Sequence, residues 1–141
     1  MKLSFNVDHF ASLRQARRAA EPEPVLAALI AEQAGAAGIT AHLRGDRRHI
    51  NERDLRMLRE AIKTKLTVEM AASAEMKAAA LAVRPDVVCL VPEKPEELTT
   101  TGGLDVVGRR KALAAHIRDL TKGGIKVSIF VDPSPAQIRA I

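Results

Sequence analysis

Aromatic side chains are nearly missing from this chain: three Phe, no Trp and no Tyr in 141 residues. That excludes the aromatic stacking platforms of single-stranded nucleic-acid binders. It also means that Ala, Val, Ile and Leu must build the core. Cysteine is limited to Cys89, so no intrachain disulfide can form, which fits a reducing compartment. Within Val87-Val88-Cys89-Leu90-Val91 it reads as a small buried hydrophobe. No apolar run approaches the ~18 residues of a membrane span. The N-terminus lacks the apolar region of a signal peptide, so a cytoplasmic location is expected. No glycine-rich dinucleotide loop follows the first apolar stretch, where Asn6-Val7-Asp8-His9 stands instead, and no HExxH spacing occurs.

What remains is an ordinary globular composition, 47% hydrophobic and 28% charged, enough for a single domain over residues 1–141. The formal net charge of +5 favours anionic partners. Strands are expected at Leu3–Val7, about Gly38–His42, Leu66–Met70, Val87–Val91 and Ile125–Val131. Val87–Val91 is apolar throughout, which predicts that both of its faces are covered. Helices are expected between them. The first opens near Pro24 with Leu26, Leu29, Ile30 and Gln33 as its stripe and ends at Gly35. The second opens at Asn51, with Leu55, Leu58 and Ile62 inward. The third is capped by Ser73, carries Met76, Ala80 and Val83, and is stopped by Pro85. The fourth spans Val106–Lys122, with Leu113, Ile117 and Leu120 inward and Gly123-Gly124 at its end. A fifth begins after Asp132-Pro133-Ser134-Pro135. The segment from Phe10 to Glu23 reads either as a long loop or as a partly helical excursion.

Strand and helix alternate five times without hairpin signals, the pattern of parallel strands with helical crossovers. A doubly wound sheet and a TIM (β/α)8 barrel both fit. The missing dinucleotide loop counts against the first. A barrel needs ~250 residues, and five units in this chain extrapolate to roughly 225 for eight. The expected fold is the N-terminal five βα units of a TIM barrel, with the C-terminal part absent. Such a piece leaves its first and fifth strands as edges, so on its own it is expected to associate and to lack turnover.

The reactive residues gather after the strands. Asn6, Asp8 and His9 end the first. His42, Arg44 and His49 follow the second, within His42-Leu43-Arg44-Gly45-Asp46-Arg47-Arg48-His49. Glu69 ends the third. Glu93, Lys94, Thr99 and Thr100 follow the fourth, and Asp132 ends the fifth. In a parallel barrel all of these lie on the catalytic face. Guanidinium forks suit phosphates, and imidazoles suit proton transfer near neutral pH. Burial in its strand would raise the Glu69 carboxyl toward the range of a general base. Each residue also has a plainer reading. The charged run can be a solvated turn, Glu69 one half of a structural ion pair, Asn6 a clip between strand ends, and His49 a helix cap. His116 reads as a surface residue. Metal ligation has no recognisable spacing behind it. Nucleic-acid binding would need Arg14, Arg17, Arg18, Arg44, Arg47 and Arg48 to line one basic face. The interleaved carboxylates and imidazoles speak against that.

With these residues assembled, the chain resembles the pyridoxine 5′-phosphate synthase family along essentially its whole length. The similar stretches are Asn6-Val7-Asp8-His9, Leu13-Arg14-Gln15-Ala16-Arg17, Ala31-Glu32-Gln33-Ala34-Gly35-Ala36, Gly38-Ile39-Thr40, His42-Leu43-Arg44 and Asp46-Arg47-Arg48-His49-Ile50. They continue with Glu69-Met70, Leu90-Val91-Pro92-Glu93-Lys94, Thr99-Thr100 and Gly102-Gly103-Leu104-Asp105-Val106. The resemblance implies a TIM barrel and a transferase of vitamin B6 biosynthesis. That enzyme condenses 3-amino-2-oxopropyl phosphate with 1-deoxy-D-xylulose 5-phosphate to pyridoxine 5′-phosphate, phosphate and water. It implies His42 and Glu69 as proton acceptors, and Asn6 and Arg17 as contacts to the aminoketone phosphate. Asp8, His9, Arg44, His49 and Thr99 become contacts to the deoxyxylulose phosphate. It implies no cofactor and no metal, small phosphorylated substrates rather than nucleic acid or membrane as partners, and a homo-oligomer, an octamer built from dimers. The family's later strands, with a histidine proton donor and glycine-rich phosphate loops, have no counterpart here.

Overall fold

A computed structural model describes residues 1–94, 100 and 102–141. Five parallel strands form one sheet in sequence order: β1 (Ser4–Asn6), β2 (Gly38–His42), β3 (Lys65–Met70), β4 (Val87–Leu90) and β5 (Lys126–Ile129). Helices α1 (Asp8–Arg17) and α2 (Pro24–Gln33) connect β1 to β2. Helices α3 (Glu52–Ala61), α4 (Ala74–Val83) and α5 (Val106–Lys122) connect the later strands, and α6 (Pro135–Ala140) follows β5. In a parallel sheet whose strand order does not reverse, crossovers of the usual right hand put the helices on one side. A doubly wound sheet needs a reversal of order, and the described strands contain none. The arrangement is that of a partial, barrel-like α/β sheet.

The register sorts the side chains by face. Ile39, Ala41, Leu66, Val68, Met70, Val88 and Leu90 point to the helices and are buried. They meet Leu55, Leu58, Met76, Ala80, Leu113 and Leu120 from α3, α4 and α5 in one continuous core. The opposite face carries Thr40, Thr67, Val87 and Cys89, all half-buried. The expectation that both faces of β4 are covered is therefore corrected. Its helix side is covered, while Val87 and Cys89 look onto the open face, and Cys89 is half-buried rather than buried.

Helix ends follow local chemistry. Ser73 accepts from the Met76 amide at 3.2 Å, Asn51 and Asp54 form a reciprocal capping box on α3, and Pro24 opens α2. Gly35 and Gly124 take positive φ just after α2 and α5, where a side chain would be strained. Gly103 is required for another reason. A Cβ there would stand 2.0 Å from the Asp132 amide nitrogen, because the loop after β4 lies directly on the end of β5. Leu104 N–H donates to the Phe130 carbonyl at 2.7 Å across that contact.

Of the two readings of Phe10–Glu23 the partly helical one holds: α1 runs over Asp8–Arg17, with Ala11 and Arg14 on its buried side, and residues 18–23 lie outside it. Two further expectations are corrected. The stripe expected for α2 is rotated. Val25, Ala27 and Ala28 are buried, whereas Leu26 and Ile30 are 56% and 58% exposed. Small residues let α2 lie close to the sheet, and the larger ones are left outside. His116 is not a surface residue. It is 8% exposed on the inner side of α5, and its Nε2 has no hydrogen-bond partner among the described residues.

Burial, with Lys77 nearby, pushes the His116 imidazole below its ordinary value. The unfolded chain therefore takes up a proton more readily than the folded one, so stability is lost as pH falls below 6.5. Replacing His116 by Leu is expected to raise stability by about 1 kcal/mol at neutral pH, by removing a buried unpaired nitrogen. The gain should widen at about pH 5.5. Urea melts at both pH values check this, and a destabilised variant would contradict it.

Candidate active site

The site grows out of the sheet register. His42 lies opposite Glu69, Glu69 opposite Cys89, and Cys89 opposite Ser128, so the last open-face position of each strand forms one row. Asp8 extends that row past β1. Its Oδ1 accepts the His42 backbone amide at 2.7 Å. Asn6 holds Asp8 from both sides, donating from Nδ2 to Oδ2 at 2.9 Å and accepting the Asp8 amide at 2.7 Å. These side-chain bonds of Asn6 go to Asp8, two residues along, and it is Asp8 that reaches the end of β2.

The His42 ring is buried between two carboxylates. Nε2 lies 2.9 Å from Glu93 Oε1, and Nδ1 lies 3.8 Å from Glu69 Oε2. Burial raises the Glu69 carboxyl above its ordinary value. His42 opposes that shift and Asp8 adds to it. Glu93 behaves differently. Burial pushes it up, but the hydrogen bonds from His42 and the Gly45 amide, with Arg44 nearby, hold it below the usual carboxylate range. Two carboxyls flanking one imidazole are thus driven in opposite directions, the condition under which one group accepts a proton while the other stays charged.

His49 faces His42, with ring centroids 5.8 Å apart. Its Nδ1 accepts the Ile50 amide at 2.8 Å, so its neutral form carries the proton on Nε2. Burial lowers the imidazole below its ordinary value, which keeps it a neutral donor. His49 does not cap α3, since Asn51 and Asp54 do that. The loop bearing His49 is anchored from below. Arg14 donates to both carboxylate oxygens of Asp54 at 2.7 and 2.8 Å and to the His49 carbonyl at 3.2 Å. Asp54 is 0% exposed and Arg14 5%. Burial pushes the Asp54 carboxyl up, but Arg14 and the Asn51 amide more than offset this and hold it low.

Asp8, His9, Ser12, His42, Arg44 and Glu69, with Arg48, His49 and Thr100, line one cavity of about 360 Å³. That is the range of small-molecule sites. Arg44 is buried there. Its Nη2 donates to the Lys94 carbonyl at 3.3 Å, while Nε stands 3.5 Å from Asp46 and makes no hydrogen bond among the described residues. Of the candidate residues, the structure brings Asp8, His9, His42, Arg44, His49 and Glu69 together. Arg17 is exposed on the last turn of α1 and does not line this cavity, and Thr99 lies outside the described residues. Glu93 was expected among the reactive residues after β4 but without a role beside His42, and Arg14 was expected only as part of a basic face. The only signal for Glu93 was a carboxylate just past an apolar strand, the position that Asp8 also occupies.

Donor atoms of Asp8, His42 and His49 lie within 4.8 Å of one another. Each residue is already engaged, Asp8 by Asn6 and the His42 amide, His49 by the Ile50 amide, and His42 by Glu93. The trio is built as a hydrogen-bonding network. The arginines proposed for a basic face are also mostly engaged. Arg14 pairs with Asp54, Arg47 with Glu52 and Glu75, and Arg48 with Asp46, and Arg44 is buried. They do not form a continuous strip of guanidiniums. No helix among the described residues is long and apolar enough to cross a membrane.

A one-way parallel α/β sheet with imidazoles, carboxylates and an arginine converging beyond its strand ends has the layout of a small-molecule enzyme. Comparison with known proteins makes this more specific. Residues 3–141 match the family model described as pyridoxal phosphate biosynthesis protein PdxJ. Over 139 residues the chain is 59% identical to a pyridoxine 5′-phosphate synthase of Geobacter metallireducens, covering 99% of this chain and 58% of that protein. It is 58% identical over 140 residues to one from a Synechococcus strain, with 99% and 59% covered. A third relative, from Thermosynechococcus vestitus, is 56% identical over 138 residues, with 98% and 58% covered. The chain belongs to the PdxJ family of pyridoxal phosphate biosynthesis proteins, and it spans somewhat under two thirds of the length of these relatives.

Replacing Arg14 by Leu leaves Asp54 buried without its partner and is expected to cost about 3–5 kcal/mol in a urea melt. In the parent protein the pair's contribution is present above 3.8, the ordinary value for Asp54, and is lost as pH falls through the lowered folded value. A loss below 1 kcal/mol or so would place this pair with exposed ones.

Proposed function

We propose that these residues belong to an enzyme that condenses 3-amino-2-oxopropyl phosphate with 1-deoxy-D-xylulose 5-phosphate. The products are pyridoxine 5′-phosphate, inorganic phosphate and water, in vitamin B6 biosynthesis. The observation that carries the reading is the His42–Glu69 pair on the wall of the cavity, with Arg44 buried beside it. Imine formation, dehydration and ring closure each move a proton. Glu69, raised by burial, can accept one and return it, and His42 stands close enough to relay. Arg44 has a buried guanidinium nitrogen to offer a phosphate, and neutral His49 offers an Nε2–H. Asp8 and His9 line the same cavity and suit the hydroxyls of the deoxyxylulose phosphate. The contacts proposed for Asn6, Arg17 and Thr99 rest on the family resemblance.

The same reading takes the sheet as five of the eight strands of a TIM barrel. One-way winding, a polar open face and the greater length of the relatives support it. It also takes the assembled enzyme as a cytoplasmic homo-oligomer that needs no cofactor. Exposed Leu13, Leu26 and Ile30 on α1 and α2 offer apolar area for such assembly.

In the enzyme expressed from its complete reading frame, His42→Asn is expected to lower turnover about 100-fold or more, as loss of a general base does. Arg44→Ala is expected to raise KM for deoxyxylulose phosphate and to weaken inhibition by phosphate, with a smaller effect on kcat. Formation of pyridoxine 5′-phosphate from the two substrates is the assay. Absence of product with the unaltered enzyme would refute the activity, and unchanged turnover in His42→Asn would refute the assignment.

A further inference from the structure

We infer that Glu93 is a positioning residue that sets the tautomer of His42 and so decides which imidazole nitrogen faces the reaction. The inference rests on the reading of His42 as a proton-transfer group. Glu93 does not line the cavity, so whatever it contributes acts through the residues it holds. Its two oxygens are both used. Oε1 meets His42 Nε2 at 2.9 Å, and Oε2 accepts the Gly45 amide at 3.0 Å. The side chain is half-buried behind the ring, and its neighbour's carbonyl, that of Lys94, accepts from Arg44 Nη2. The stretch just after β4 is therefore stapled at three points to the end of β2 and the turn that follows it.

A carboxylate can only accept hydrogen bonds. Facing one at 2.9 Å, Nε2 must carry the hydrogen, and the lone pair of the neutral ring is left on Nδ1. Nδ1 is the nitrogen turned toward Glu69. The 3.8 Å gap is too long for a hydrogen bond, so the two atoms face each other across a space that a transferred proton or a substrate atom can enter. Without Glu93, either nitrogen could hold the proton, and the ring could turn about its bond to the strand. A carboxylate that orients an imidazole in this way acts by geometry, and its loss reduces turnover rather than affinity. The Gly45 hydrogen bond fixes Glu93 itself. An amide in place of the carboxylate has a single acceptor oxygen and cannot serve both donors.

Two measurements on the complete enzyme test this. Nitrogen-15 spectra of labelled histidine should show neutral His42 protonated at Nε2 and bare at Nδ1, and Glu93→Gln should shift that population toward the other tautomer. Glu93→Gln should also lower kcat between about 100-fold and 10,000-fold, with KM for both substrates within about threefold of the parent. A proton on Nδ1 in the unaltered protein would overturn the inference without any variant having to fold. So would a kcat within about threefold of the parent, or a rise in KM alone, which would assign Glu93 to holding the arginine-bearing turn. If the unaltered enzyme makes no pyridoxine 5′-phosphate, the proposed function fails, while the tautomer still reports whether Glu93 positions the ring.

Discussion

Everything at the site depends on the parallel register of β2 against β3. His42 pairs with Glu69 because Gly38 pairs with Lys65 four residues earlier. A slip of one residue would turn His42 into the helix layer and bring Leu43 onto the open face. The apolar run on the other face prevents that slip. Ile39, Ala41, Leu66, Val68 and Met70 are fully or almost fully buried against the helices, and moving them to the open face would expose all of them. Apolar burial on one face therefore sets the geometry of the polar face.

The loops add electrostatic placement to that frame. Net charge is positive, yet most arginines of the loop after β2 are engaged by carboxylates close at hand. Arg14–Asp54 ties α1 to the start of α3 and holds the His49 carbonyl. The pair is useful less for its own strength, which desolvation largely offsets, than for the loop position it enforces. At the other end of the sheet the groups are structural. Glu32 accepts the amides of Lys63 and Thr64, and Asp86 accepts the Leu66 amide and pairs with Arg59. One end of the sheet thus joins the turns together, while the other holds the candidate site.

The parts legible in the sequence were those where one physical signal dominated. Strand cores showed as short apolar runs, α3 and α4 as apolar stripes with side-chain caps, and His42 and Glu69 as ionisable groups ending such runs. The illegible parts depended on partners distant in sequence. Helix α1 has few apolar residues, and its buried Arg14 is tolerable only because Asp54 lies forty residues away in the chain and adjacent in space. The face of α2 was misjudged because close packing favoured Ala27 and Ala28 over Leu26 and Ile30. His116 looked exposed beside alanines but falls on the inner side of α5.

By itself the sequence determined the class of the fold, the end of the sheet at which the ionisable groups of the candidate site collect, and membership of a family. Periodicity, strand-end placement and local motifs all act over a few residues and survive without coordinates. Only the tertiary structure decided how the ionisable groups differ from one another. Glu69 and Glu93 are the same side chain at the ends of neighbouring strands, yet one is raised by burial and the other is held low by an imidazole and a backbone amide. That difference arises from distance and desolvation, which belong to the packed chain.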